Sequence, residues 1–255
     1  MTTPTLEHRS RLWQILPTTI VTGATSGIGW ELAMQLAHAG VRVIAIGRRL
    51  HELQGLAAHS PLIIPWTADL AEIERLPALA ADILAAHPDA GCLINNAGIQ
   101  DNLRMDDADY GHAAVRREVD VNLVAPMVLT QLLLSHLKAR QRSWVVNVTS
   151  VLGHAPKRTA AVYSATKAGL HTFTRALRVQ MQGSAVTVAE ALMPLVDTPM
   201  TQGRGRGKMP VEDAARALLK GLSSGHTDIR IGKARAVPVL QRWAPGILSR
   251  IIQRQ

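Results

Sequence analysis

The sequence predicts an α/β protein: a doubly wound, mostly parallel seven-stranded sheet with helices on both faces. Three observations carry this expectation. Short runs rich in Val and Ile recur along the chain, and segments with helical periodicity lie between them. Hydrophobic residues make up 47% of the chain and aromatics only 3%, so Ala, Leu, Val and Ile must build the core. Strands buried on both faces read as such continuous apolar runs, and their alternation with helices is the pattern of a parallel sheet. At 255 residues the chain suits one large domain.

Residues 1–16 are expected to be an N-terminal extension, and residues 17–255 a single domain. Strands are expected at Thr18–Thr22, Val41–Ile46, Leu62–Trp66, Cys92–Asn95, Trp144–Thr149 and Thr187–Leu192, with a short last one at Asp228–Ile231. The first helix is expected over Ile28–Ala39, ending at Gly40, a residue suited to a left-handed helix end. Another begins near Ala161 and carries Tyr163, Lys167, Leu170 and Phe173 at helical spacing. The stretch Gly203–Lys208, within a short loop over about 199–210, reads Gly-Arg-Gly-Arg-Gly-Lys. It cannot bury a face, and a mobile loop is expected there.

Charge is unevenly placed. The chain carries a net +9, and residues 201–255 hold 11 Lys and Arg against 3 Asp and Glu. This fits a solvated basic surface, attraction of an anionic substrate or cofactor, contact with an acidic membrane, or weak nucleic-acid contact. The stretch Ala244–Ile252 reads as an amphipathic surface helix for a membrane or a partner. No nucleic-acid module and no metal-ligand pattern is recognised. No apolar run reaches the roughly 18 residues of a membrane span, and a cytoplasmic protein is expected. The single cysteine, Cys92, lies in an apolar run and is expected to fill the core.

The first strand leads into Thr22-Gly23-Ala24-Thr25-Ser26-Gly27-Ile28-Gly29, which opens directly into a helix. Glycines let bare backbone approach a pyrophosphate, and the helix N-terminus offers free N–H donors and the positive end of its dipole. The spacing is G-x-x-x-G-x-G rather than G-x-G-x-x-G. The second strand ends at Gly47-Arg48-Arg49, where an NAD-binding protein would place an acid on the ribose hydroxyls. Gly47 leaves room, and Arg48 can pair with a 2′-phosphate. NADP(H) is therefore expected over NAD(H), and Gly47→Asp with Arg48→Val is expected to invert the preference.

Three ordered motifs then resemble the single-domain short-chain dehydrogenases/reductases, whose fold is Rossmann-type. Thr22–Gly29 resembles their nucleotide turn, Asn95-Asn96-Ala97-Gly98 the motif closing their fourth strand, and Tyr163-Ser164-Ala165-Thr166-Lys167 their Tyr-x-x-x-Lys signature. The resemblance covers roughly residues 18–200. Details of Leu93–Gln100 and of Pro194–Met200 are similar to a bacterial subgroup labelled as reductases associated with teichoic-acid D-alanylation genes.

The reaction set is Ser150, Tyr163 and Lys167, with Asn122. Tyr163 and Lys167, four apart on a helix, share a face. Bringing a tyrosine from about pH 10 to about 7 requires roughly 4 kcal/mol, and a lysine cation about 4 Å away, helped by the positive nicotinamide ring, supplies a similar amount at an effective dielectric of 20. Tyr163 would then serve as general acid in reduction and general base in oxidation. Ser150 would bond the substrate oxygen. The resemblance implies that Asn122 holds a water linking Lys167 to solvent. It further implies cofactor contacts from Gly23, Thr25, Ser26, Gly27, Ile28 and Gly29, from the acid Asp69 and Leu70 near the adenine, and from Asn95, Ala97 and Gly98 near the adenosine ribose. Pro194, Val196 and Thr198 would lie by the nicotinamide, although Leu195 stands where the family usually has Gly.

Leu195, Met200 and Met209 suggest an apolar, adaptable lid. His154, Lys157 and Arg158 lie between Ser150 and Tyr163 and are candidates to face a substrate. The expected activity is interconversion of a small-molecule carbonyl and alcohol with NADP(H); the alternative is a non-catalytic NADP(H)-binding sensor or scaffold. A homodimer or homotetramer is implied by the resemblance, through helices around residues 105–138 and 161–182.

Overall fold

In the second strand Val43 and Ala45 face one side of the sheet while Ile44 and Ile46 face the other, and all four are buried. A strand with both faces buried needs helices above and below. That is the arrangement in the computed structural model, which describes residues 16–253. The strands are β1 (Thr18–Thr22), β2 (Val43–Gly47), β3 (Ile63–Thr67), β4 (Ala90–Asn95), β5 (Ser143–Ser150), β6 (Val186–Met193) and β7 (Asp228–Arg230). They form one sheet in the order β3-β2-β1-β4-β5-β6-β7, and every pairing is parallel. The fold is thus the expected Rossmann-type sheet, with no antiparallel strand among the described residues.

The helices are α1 (Gly27–His38), α2 (Leu50–Ala57), α3 (Leu76–Ala86), α4 (His112–Lys138), α5 (Ala161–Gln180), α6 (Val211–Ser223), α7 (Val237–Trp243) and α8 (Pro245–Gln253). One core layer packs α1, α2 and α6 on the sheet through Leu32, Leu36, Leu53, Leu56, Leu218 and Leu222. The other packs α3, α4 and α5 through Leu79, Ile83, Leu129, Leu133 and Leu177. Strand order reverses between β1 and β4, and the crevice at their carboxyl ends is where such sheets bind ligands.

Several boundaries differ from expectation. The second strand starts at Val43 rather than Val41, because Val41 closes the preceding helix. Its N–H donates to Leu36 C=O at 3.0 Å and Gly40 N–H to Ala37 C=O at 2.9 Å, with Gly40 at φ +87°. This is a Schellman-type end, which keeps Val41 with the helix. Leu16 is 1% exposed and belongs to the core, not to an extension; the remainder of the expected extension lies outside the described residues. Helix α4 is long and apolar enough to cross a membrane by length and composition, contrary to the expectation of no such run. Its buried residues Ala125, Leu129, Leu133 and Leu137 pack against the sheet. Helix α8 buries Leu248 and Ile252 against Val151 and Ala155, so the expected surface helix is a packed wall of the domain that leaves Ile247 and Ile251 exposed.

Candidate active site

Every motif singled out in the sequence lies at or beside the carboxyl edge of the sheet. There the loops enclose a cleft of about 260 Å³, lined by the Gly23–Ile28 turn, Arg48, Asp69, Leu70, Ala97, Gly98, Ser150, Tyr163, Lys167, Pro194, Val196 and Thr198. The structure thus brings together most of the predicted site residues from six strand ends. Three do not line the cleft: Gly29, Asn95 and Asn122.

Gly29 acts through its lack of a side chain. A Cβ there would lie 2.2 Å from Gly23 O, so α1 could not approach the turn so closely with any other residue. Asn95, the last residue of β4, points beneath the cleft floor. It donates to Asn147 Oδ1 at 2.8 Å and lies 3.3 Å from Thr130 Oγ1, and Asn147 in turn donates to Thr174 Oγ1 at 2.9 Å. Its side chain knits β4 and β5 to α4 and α5, which corrects its placement as a cofactor ligand. The neighbouring Asn96 does line the cleft and donates to Thr22 O at 2.9 Å. Thr22 Oγ1 accepts from the N–H groups of Asn96 and Ala97, both at 3.0 Å. Thr22 and Asn96 therefore hold the first turn to the fourth, a function the motif spelling did not reveal.

Asn122 is fully buried in a π-helical turn, Asp120–Val124, within α4. Its amide accepts from Ile99 N–H and donates to Ile99 C=O, both at 2.8 Å. Its side chain is thereby committed to the loop after β4. Gly98 lies between this amide and Lys167: a Cβ on it would be 3.3 Å from Asn122 Oδ1 and 3.6 Å from Lys167 Nζ.

Ser150 ends β5 and caps the following turn, accepting from Leu152 N–H at 3.2 Å. Tyr163 and Lys167 share the buried face of α5. Lys167 Nζ lies 5.7 Å from the Tyr163 ring centre and donates to Val148 C=O at 3.0 Å. Burial governs both groups. It pushes the Tyr163 hydroxyl up to about 12, with the Ser150 hydroxyl and Arg204 favouring the phenolate and Glu118 opposing it. It lowers Lys167 to about 8. The expectation is that Lys167, helped by the positive nicotinamide ring, brings the phenol near neutrality; among the chain's own groups, burial is the largest influence on the hydroxyl and acts in the opposite direction.

Asp69 keeps its position but not its freedom. Burial raises its pKa, yet the Arg117 hydrogen bond at 2.9 Å, the Ala71 N–H at 3.0 Å and the charges of Arg117 and Arg48 together hold the carboxyl below its ordinary value. Arg48 lies 4.0 Å from Asp69. Gly47 is tightly packed, since a Cβ would meet Thr25 Cγ2 at 2.3 Å. Substituting it would disturb the turn, so Gly47→Asp is not a clean test of cofactor choice.

The sequence reading missed Arg204, which lines the cleft with Lys157, Leu152 and Met200. It also missed a cluster behind the cleft. His171 Nδ1 lies 2.8 and 2.9 Å from the two oxygens of buried Glu190, and Thr149 Oγ1 donates to Glu190 at 2.6 Å. His154 brings a third possible metal-ligand atom within 4.8 Å of these, although no metal pattern was recognised in the sequence.

Comparison with known proteins agrees with this geometry. Residues 17–208 match the family described as short chain dehydrogenase. The Bacillus subtilis (strain 168) protein called "Uncharacterized oxidoreductase DltE" is 33% identical over 219 residues, covering 83% of this chain and 86% of that one. An "Uncharacterized oxidoreductase" of Myxococcus xanthus (strain DK1622) is 32% identical over 87% of this chain and 89% of its own. Among solved structures, a short chain dehydrogenase from Burkholderia cenocepacia J2315 in complex with NADP superposes with a TM-score of 0.81 at 25% identity, covering 93% of this chain and 98% of that one. A short-chain dehydrogenase from Sphingobium yanoikuyae in complex with NADPH gives 0.78 at 26% identity, over 94% and 98%.

Proposed function

The chain belongs to the short-chain dehydrogenase family, and on that premise we propose that it is an NADP(H)-dependent oxidoreductase interconverting a carbonyl and an alcohol, with Tyr163 as proton donor and acceptor. The observation that carries this reading is the convergence of Ser150, Tyr163 and Lys167 on one cleft wall, in the same cleft as the glycine turn. When bound, the nicotinamide supplies or accepts the hydride. Ser150 orients the substrate oxygen by hydrogen bonding, Tyr163 donates the proton to that oxygen in reduction and removes it in oxidation, and Lys167 anchors the helix face at Val148 C=O.

Preference for NADP(H) is supported by two features: Arg48 stands in the cleft at the end of β2 with no acid beside it in sequence, and two similar solved structures hold NADP and NADPH. Asn122 acts as a positioning residue for the Gly98–Ile99 backbone. The reading includes a homodimer or homotetramer formed through α4 and α5; the outer face of α5 exposes Ala165, Ala176 and Val179.

The test is a fluorescence titration with NADPH and NADH, followed by turnover with a panel of carbonyl compounds. NADPH should bind at least about tenfold tighter, a difference of about 1.4 kcal/mol, and Arg48→Ala should remove that advantage. Tyr163→Phe should abolish turnover while keeping nucleotide binding. A preference for NADH would discard the role of Arg48. Nucleotide binding without turnover of any carbonyl would favour the scaffold reading instead.

A further inference from the structure

The loop that carries Arg204 is held in shape. Gly203, Gly205 and Gly207 all adopt positive φ, at 72°, 67° and 65°, a conformation that glycine takes at little cost. The base of the loop is clasped by Asp197 N–H to Met209 C=O at 2.8 Å and Met209 N–H to Leu195 C=O at 2.9 Å. Lys208 Nζ crosses it to Thr201 C=O at 2.7 Å and Asp197 at 3.1 Å. The stretch expected to be mobile is thus a tied turn that presents Arg204 to the cleft.

Lys157 reaches the same cleft from the opposite loop. That loop is backed by α8: Gln253 donates to Pro156 C=O at 2.9 Å and accepts from Arg158 N–H at 3.1 Å. Both cations are half-buried and line the cleft beside Ser150 and Tyr163. Burial, and then the charge of Arg204, lowers the pKa of Lys157; burial likewise lowers that of Arg204.

Neither side chain has a hydrogen-bond acceptor or a carboxylate partner among the described residues. The other cations lining the cleft do: Arg48 faces Asp69, Arg49 pairs with Glu52 at 2.6 Å, and Lys167 bonds Val148 C=O. Among the described residues the only acid in the cleft lining is Asp69, already held by Arg117. Two partly desolvated like charges kept together without a counter-ion oppose folding unless something outside the chain compensates them. An oxyanion does so, and the guanidinium fork suits a carboxylate or phosphate.

We propose that Lys157 and Arg204 form an oxyanion subsite that selects carbonyl or alcohol substrates bearing a carboxylate or phosphate group. The assignment rests on the oxidoreductase reading for the position of the reacting carbon at Tyr163. Leu152, Leu195 and Met200 line the same cleft and provide apolar surface for the body of such a molecule.

The experiment is calorimetric titration of the protein, with and without saturating NADP⁺, using benzoate, phenyl phosphate and benzamide as probes. Benzoate or phenyl phosphate should bind at least about tenfold tighter than benzamide, the difference expected of a charge-assisted pair. The double variant Lys157→Gln with Arg204→Gln should erase that preference, whereas Lys157→Arg should keep it. Equal binding of benzoate, phenyl phosphate and benzamide by the unaltered protein, or an anion preference that survives the double substitution, overturns the proposal. A parallel loss of NADP⁺ affinity by the same factor also overturns it, because the two charges would then serve the cofactor. Anion preference in a protein that binds no nucleotide supports the subsite and overturns the oxidoreductase reading, so the two fail separately.

Discussion

Asn122 clasps the backbone of Ile99 with both ends of its amide, through two hydrogen bonds of 2.8 Å. The contact joins a π-helical turn of α4 to the loop that follows β4, and it holds Gly98 against Lys167. Asn122→Ala removes both partners and leaves the Ile99 N–H and C=O without theirs. The expected cost is about 1–3 kcal/mol, from two part-buried backbone groups that lose their partners. Urea unfolding should show this as a lower midpoint at unchanged slope. Nucleotide affinity should fall in the same variant, because the Ala97–Ile99 wall loses its anchor.

The phosphate turn depends on Gly29 in a different way. Any side chain at this position meets Gly23 O, and that atom is backbone and cannot yield cheaply. Gly29→Ala should therefore cost NADPH affinity at least about tenfold, along with roughly 1–3 kcal/mol of stability from overpacking. Gly55, inside α2, provides the contrast, since a Cβ there has nothing within 4 Å. Gly55→Ala should stabilise the protein by about 0.5–1 kcal/mol without touching nucleotide binding. Thermal melting and fluorescence titration of the two variants side by side check both statements.

Much of this was legible in the sequence, and the exceptions have physical reasons. Apolar runs located β1, β2, β4, β5 and β6, because parallel strands with two covered faces cannot hide their composition, whereas β3 and β7 at the sheet edges are only partly buried. The four-residue spacing of Tyr163 and Lys167 located one face of α5, because helical geometry is local. The electrostatic balance between them was not legible, since it turns on burial. Asn95 was misplaced as a ligand because a motif does not say which way each side chain of a strand points; Asn95 turns into the sheet and Asn96 lines the cleft. Arg204 was hidden because alternating glycines read equally as a flexible chain or as a turn that needs positive φ three times.

The pH dependence follows from the groups around Tyr163. Oxidation needs the phenolate, so its rate rises as pH rises through the Tyr163 pKa; reduction needs the protonated form, and its rate falls over the same range. The charge of Glu118 raises that pKa and the charge of Arg204 lowers it. Glu118→Gln should therefore move both breaks to lower pH, and Arg204→Gln should move them to higher pH. Opposite displacements of the kcat profile in the two variants support Tyr163 as the titrating group. Shifts in the same direction, or none, would assign the profile elsewhere.

Behind the site, buried Glu190 on β6 accepts from Thr149 Oγ1 and pairs with His171 of α5. Thr149 precedes Ser150 on β5, and His171 follows Lys167 by one helical turn, so the carboxylate ties together the two elements that carry the reaction set. Glu190→Leu leaves the Thr149 hydroxyl and the His171 ring facing an apolar group, at an expected cost of about 2–4 kcal/mol for two groups that lose their hydrogen-bond partner. Glu190→Gln keeps one acceptor and should lose less, about 1–2 kcal/mol. If the tie also positions the reaction set, kcat should fall in Glu190→Gln while the affinity for NADPH, held by turns on other strands, stays unchanged. A loss of stability with kcat intact would leave Glu190 as a structural group only.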